Sequence, residues 1–206
     1  MTQTLTGQTL TGLFDRYDDA RRAVQDLEAA GVPHRDVSIV ASNGRGEHAA
    51  ATDPAGDAGA GAGIGAAIGG AGGLLAGLGL LAIPGLGPVV AAGWLAATAV
   101  GVVGGAAIGG AAGGLVGALT DAGVPADDAH VYAEGVRRGG TLVTAKVDEK
   151  LVPTARAILG DQRAVDVGER RDHYRLEGWT AFDEHAPAYT PEQIDAERDR
   201  YDRVTR

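Results

Sequence analysis

Apolar positions in this chain fall into two patterned flanks around one nearly continuous middle. In the first flank Leu10-Thr11-Gly12-Leu13-Phe14 is a short β-prone run, and Asp15 stands as an N-cap before Ala20, Ala23, Val24, Leu27 and Ala30 at helical spacing. Gly31 stops that helix, Pro33 prevents its continuation, and Val37-Ser38-Ile39-Val40-Ala41 predicts a second strand. The last flank repeats this order. Thr141-Leu142-Val143-Thr144-Ala145-Lys146-Val147 alternates as a strand, Leu151, Ala155, Ile158 and Leu159 give helical spacing over Glu149 to Leu159, and Ala164-Val165-Asp166-Val167 predicts a short strand. Pro153 fits that helix only near its first turn. Ahead of these elements, Ala126 to Arg138 predicts an extra helix ended by Gly139-Gly140.

Each βαβ half is too small to bury its own apolar face, and two halves complete one another as a four-stranded sheet covered by two helices. The expected fold is therefore α+β: a split ferredoxin-like domain, βαβ plus βαβ, interrupted by a glycine-zipper α-helical hairpin and followed by a C-terminal helix. Its parts are residues 1–57, the first half and linker; 58–120, the hairpin; 121–168, the extra helix and second half; and 169–206, a charged tail. Gly31-Val32-Pro33 recurs as Gly123-Val124-Pro125, which reads as turn chemistry rather than duplication.

The middle segment, Ala58 to Thr120, carries no charged residue and no histidine. Amphipathic elements in water must show a polar face, so this stretch is expected to meet lipid or protein on most sides. Glycine recurs there every fourth residue, at Gly61, Gly65, Gly69, Gly73 and Gly77 and again at Gly101, Gly105, Gly109, Gly113 and Gly117. On a helix such a series forms a slanting groove in which a second helix lies with close backbone approach. In water each such glycine costs about 1 kcal/mol against alanine, so tight packing or lipid has to stabilise the pair. Pro84, Gly85, Gly87 and Pro88 supply the turn between two expected helical arms, Gly59 to Ile83 and Val89 to Thr120. At 1.5 Å per residue each arm is long enough for a hydrocarbon core about 30 Å thick. Its Ala and Gly content makes the span a marginal one, so a buried helical pair or a zippered oligomer stands beside the membrane hairpin.

Composition narrows the chemistry. Among 206 residues there is no cysteine, which removes disulfides, thiolate metal sites and thiol nucleophiles. A formal net charge of -9, without a basic run, sets nucleic-acid binding aside. Met1-Thr2-Gln3-Thr4-Leu5 lacks a basic region and a following apolar stretch, so no cleaved signal peptide is expected. His34, His48, His130, His173 and His185 lack the spacing of a zinc site, and Ser38 and Ser42 sit in or beside a strand without a nucleophile turn. Gly44-x-Gly46 after a strand is a weak dinucleotide signal, and His34-Arg35-Asp36 lacks every other kinase element. No catalytic residue, cofactor or metal is expected. Thr190-Pro191-Glu192-Gln193 has capping-box spacing with proline at the first helical position, so a helix is predicted from about Pro191 to Val204. Trp179, Phe182 and Tyr189 offer to dock this tail onto the domain or onto another subunit.

Gly12-Leu13-Phe14-Asp15, the helix ending in Ala29-Ala30-Gly31-Val32-Pro33, the glycine-rich insert, Gly123-Val124-Pro125 and the run His130 to Val143 together resemble bacterial general stress proteins with a heat-induced YflT-type domain. The likeness covers about Leu10 to Val167, and the long zipper insert departs from the family's simplest members. It implies induction under stress and a small α/β domain, and supplies no catalytic residues. The function expected is a non-enzymatic stress-response protein held at the cytoplasmic face of a membrane by the hairpin and self-associating through it. A cytoplasmic homo-oligomeric assembly packed through the glycine helices, and a small-molecule sensor using the sheet face, are the alternatives.

Overall fold

A computed structural model describes residues 7–46, 79–96, 98 and 114–204. Gly61, Gly65, Gly69, Gly73, Gly77, Gly101, Gly105, Gly109 and Gly113, and with them nearly all of the expected zipper, lie outside the described residues. The elements run β1 (Gln8–Phe14), α1 (Tyr17–Ala29), β2 (Val37–Ser42), β3 (Gly79–Ile83), β4 (Gly87–Gly93), α2 (Gly114–Asp121), α3 (Ala126–Arg137), β5 (Thr141–Val147), α4 (Val152–Leu159), α5 (Val167–Leu176) and α6 (Pro191–Val204). Short 3-10 turns at His34–Asp36 and Glu149–Leu151 lead into β2 and α4.

The molecule is mixed α+β, built on a five-stranded antiparallel sheet in the order β1-β5-β2-β4-β3. Leu13, Leu142, Val40 and Ala91 line up across four strands and face α2 and α3, where Leu115, Leu119, Ala129, Ala133 and Val136 meet them. The opposite face, with Phe14, Ile39, Val143 and Val90, is covered by Ala20, Val24 and Leu27 of α1 and by Ala155 and Leu159 of α4. Two covered faces explain why every residue of β2 is buried, Ser38 and Ser42 included. They also go beyond the two covering helices expected, because the predicted extra helix, α3, joins α2 as a second layer.

The largest departure concerns the middle of the chain. Residues 79–83 and 89–93, expected as the inner ends of two helical arms, lie in strands β3 and β4, and β4 pairs with β2 from Ser38↔Gly93 to Ser42↔Val89. Pro84, Gly85, Gly87 and Pro88 do turn the chain, but as a β-hairpin: Leu86 N–H donates to Ile83 O at 3.0 Å, with Gly85 at φ 74°. Proline at the second and glycine at the third position of a four-residue turn is the type II pattern. Val89 and Val90, β-branched and buried on opposite faces of the sheet, favour extension over a helix. Of the predicted zipper glycines, Gly117 alone is described, on α2, where its carbonyl accepts from Thr120 Oγ1 at 2.9 Å.

Two smaller corrections lie in the flanks. The strand expected at 164–167 shrinks to a single antiparallel bridge, Phe14↔Ala164, with Val165 N–H donating to Leu13 O at 2.8 Å. It stops there because Asp166 caps α5, its Oδ1 accepting from Glu169 N–H at 2.9 Å. Asp15 does not cap α1, whose N-cap is Arg16 without a side-chain bond; both Asp15 oxygens accept from Arg170 instead, at 2.9 and 2.8 Å.

Candidate functional site

The densest polar constellation grows from the last turn of α3. This helix presents Ala129, Val131, Ala133 and Val136 to the core, and its end carries Glu134, Arg137 and Arg138. Glu134 is fully buried; its Oε1 accepts from Arg138 Nε at 2.7 Å and from Arg137 Nη2 at 2.8 Å, while its Oε2 has no hydrogen-bond partner among the described residues. Arg138, only 6% exposed, reaches outward with Nη1 to Glu177 at 2.5 Å and to Glu197 at 3.3 Å, so one guanidinium joins α3 to the end of α5 and to α6. Its carbon lies 4.1 Å from the centre of the buried Tyr174 ring. Arg200 bonds both Glu177 and Glu197, and Tyr201 donates to Glu197 Oε2 at 2.7 Å.

Burial works against the Arg138 charge, but the bonds from Glu177 and Glu134 outweigh it and raise the guanidinium pKa. Burial likewise pushes the Tyr174 phenol up to about 12 and raises that of Tyr201. For Glu177 burial raises the pKa, and the hydrogen bond and charge of Arg138, with Arg200, more than reverse this, leaving it below the ordinary value. Arginines that cannot deprotonate, carboxylates engaged with them and phenols held protonated hold elements together rather than move protons near neutral pH.

The sign of that arrangement follows from the depressed Glu177 value. A carboxylate with a lowered folded pKa contributes stability above its unfolded value and loses it as pH falls through the folded one. Groups facing it are Arg138, Arg200 and His173, with Glu134 and Glu197 beyond the arginines. Docking of α5 and α6 is therefore expected to loosen as pH falls below the ordinary glutamate range and through the lowered Glu177 value. Fluorescence of Trp179, which stacks edge-on against Tyr174 at 5.6 Å, reads this in a Trp94→Phe background; a spectrum unchanged through a full acid titration contradicts it.

Between α5 and α6 the chain lies across the β3–β4 turn. A Cβ built on Gly85 would stand 2.7 Å from Glu184 Cα, and one on Gly87 would stand 2.6 Å from the Ala188 methyl carbon. Arg137 sits 5.8 Å from the Phe182 ring centre and 5.3 Å from that of Tyr189. The first turn of α6 carries the predicted box, with Thr190 N–H to Gln193 Oε1 at 2.9 Å and Gln193 N–H to Thr190 Oγ1 at 3.3 Å. Ile194 then fills the hollow above Gly139 and Gly44, and Arg45 pairs with Asp195 at 3.1 Å. The tail thus docks onto its own domain.

Other candidates are accounted for by this packing. The hydroxyl of Ser38 donates to Ala92 O at 2.8 Å between β2 and β4, and Ser42 Oγ accepts from Gly44 N–H. Gly44 lies under Ile194, leaving no room there for a pyrophosphate. His34 bonds Glu28 at 2.8 Å and His173 stacks on Tyr201, while among the described residues no group of His, Asp and Glu is arranged to hold a metal. A hollow of about 970 Å³ between α1 and α6 is lined by Arg16, Tyr17, Asp19, Arg45, Asp195 and Asp199, charges of both signs. A second, of about 380 Å³, lies beside β1 with Gly12, Tyr132, Gly160 and Asp161. Among the described residues no helix is long and apolar enough to cross a membrane.

The Glu134–Arg138 pair was within reach of the sequence, since a carboxylate and an arginine four apart at a helix end is a signal. Their partners, Glu177 and Glu197, stand among many exposed charges with nothing to single them out. Comparisons with protein-family models, with curated protein sequences and with solved structures returned no match.

Proposed function

We propose that this chain is a non-enzymatic protein of the bacterial general-stress type whose α+β body carries its glycine-rich segments into self-association. The body reads as a split ferredoxin-like domain: the order β1-β5-β2 and the Phe14↔Ala164 bridge match that pattern, with β4 and β3 added beyond β2. The observation carrying the functional reading is that β3 and β4, from the centre of the uncharged stretch, belong to the body's own sheet. Both glycine-rich segments therefore leave and rejoin one body, and an odd number of bilayer crossings between β2 and β3 would pull those strands apart. Two helical passes need about 40 residues, more than the chain supplies between Gly46 and Gly79. Glycine grooves meeting grooves of other copies satisfy the same need for close packing.

The test is sedimentation without detergent. The full chain is expected as a discrete lipid-free multimer, and a chain lacking Ala58 to Gly77 as a smaller species. A full chain that runs as a monomer at micromolar concentration overturns the reading. The absence of charge from Ala58 to Thr120 favours a second reading, adsorption of these segments to a lipid surface. Retention of the full chain on membranes through an alkaline carbonate wash would support it.

A further inference from the structure

The C-terminal arm, Val167–Val204, meets the body through side chains and not through strand pairing. One set of anchors is ionic: Arg138 with Glu177 and Glu197, Asp15 with Arg170, and Asp128 with Arg171. The other set is steric, with Ile194 over Gly44 and Gly139, Ala188 against Gly87, and Asp183 and Glu184 against Gly85. Gly44 lies where the chain leaves β2, and Gly85 and Gly87 form the β3–β4 turn, so the arm grips one described root of the glycine-rich middle together with the hairpin turn at its centre. Interfaces resting on charge fix orientation more than they add affinity. Segments with little apolar burial belong to the low-stability end of a structure, and among the described side chains of α5 and α6 only Tyr174 and Ile194 are large and fully buried.

We propose that this arm is a reversible latch that opens as one unit about Gly160–Asp166 while the sheet stays folded, unclamping the exit of β2 and the β3–β4 turn together. Closed, it buries the Glu134–Arg138 pair and seats Ile194 in its glycine-floored hollow. Open, it frees residues 43–46 and 84–88 without touching the pairing of β1, β5 and β2.

Hydrogen exchange read by mass spectrometry on the full chain tests this. In the unmodified protein the amides of α5 and α6 are expected to exchange as one block at least tenfold faster than those of β2 and β5. Ile194→Asp, which places a charge in the hollow, is expected to speed that block about a hundredfold. Residues 43–46 and 84–88 should follow it, while β1, β2 and β5 keep their protection. Equal rates for the arm and the central strands in the unmodified protein overturn the latch, and that measurement stands even if the variant does not fold. Loss of protection in all strands together on Ile194→Asp also overturns it, since the arm would then be an integral part of the core.

Discussion

Gly93→Ala is expected to destabilise the protein by about 3 kcal/mol or more, the largest loss from a single methyl group added at any described glycine. Gly93 ends β4 at φ 87°, and a Cβ there would lie 2.2 Å from Val37 O, 2.8 Å from Ser38 Cα and 3.1 Å from Ser38 Cβ. Positive φ alone costs an L-residue about 1–2 kcal/mol. The collision adds to this because the atoms met are backbone of β2, which cannot yield without parting the Ser38↔Gly93 pair and the Ser38 bond to Ala92. Gly31→Ala separates the two effects, since Gly31 has φ 97° with nothing within 4 Å of the built Cβ. Urea unfolding of both variants should give a loss near the strain value for Gly31→Ala and a much larger one for Gly93→Ala; equal losses would show that the collision is relieved.

Arg138→Met is the second large effect. Removing one partner of a buried ion pair costs about 3–5 kcal/mol, chiefly because the other charge stays buried and uncompensated. Here the abandoned partner is Glu134, fully buried and already short of one bond, with Glu197 at 5% exposure beside it. Arg137 stays on Glu134 and Arg200 on Glu197, which places the loss toward the lower end of that range. Adding Glu134→Leu to Arg138→Met should recover a large part of it, because replacing both members of a buried pair by apolar groups is often neutral or better. Urea titrations of the single and double variants measure the coupling; a double variant less stable than Arg138→Met would refute the account of Glu134 as the stranded charge.

Periodicity made β1, α1, β2, α3 and β5 legible, because each carries its own apolar spacing and its own stop, such as Gly31 with Pro33 or Gly139 with Gly140. It failed over 79–93, where Ala, Leu, Ile and Val without charges fit a buried strand and a buried helix equally well. What decides there is tertiary: β2 offers its free side to β4, and Val89 and Val90 take opposite faces. The Pro84–Pro88 turn was legible as a turn because proline and glycine set backbone angles locally. Helix α5 was not, since Val167-Gly168-Glu169-Arg170-Arg171-Asp172 has almost no apolar face and forms on its Asp166 cap and its ion pairs. The capping box of α6 depends only on neighbours in sequence, and it could be read from the sequence down to its two bonds.

The pairing of β1 with β5 joins Gln8 to Val147 and Phe14 to Thr141, nearly the two ends of the folded body. A chain emerging from the ribosome at about 5–20 residues per second cannot close that ladder until several seconds, at best, after β1 has been made. For the later part of that wait β4 is already made, next to a central strand, β2, whose β5 side is still unpaired. Newborn copies on neighbouring ribosomes would meet by these surfaces first, so the protein's hazard of clumping belongs to its synthesis, and slower translation downstream of Gly93 should lengthen it.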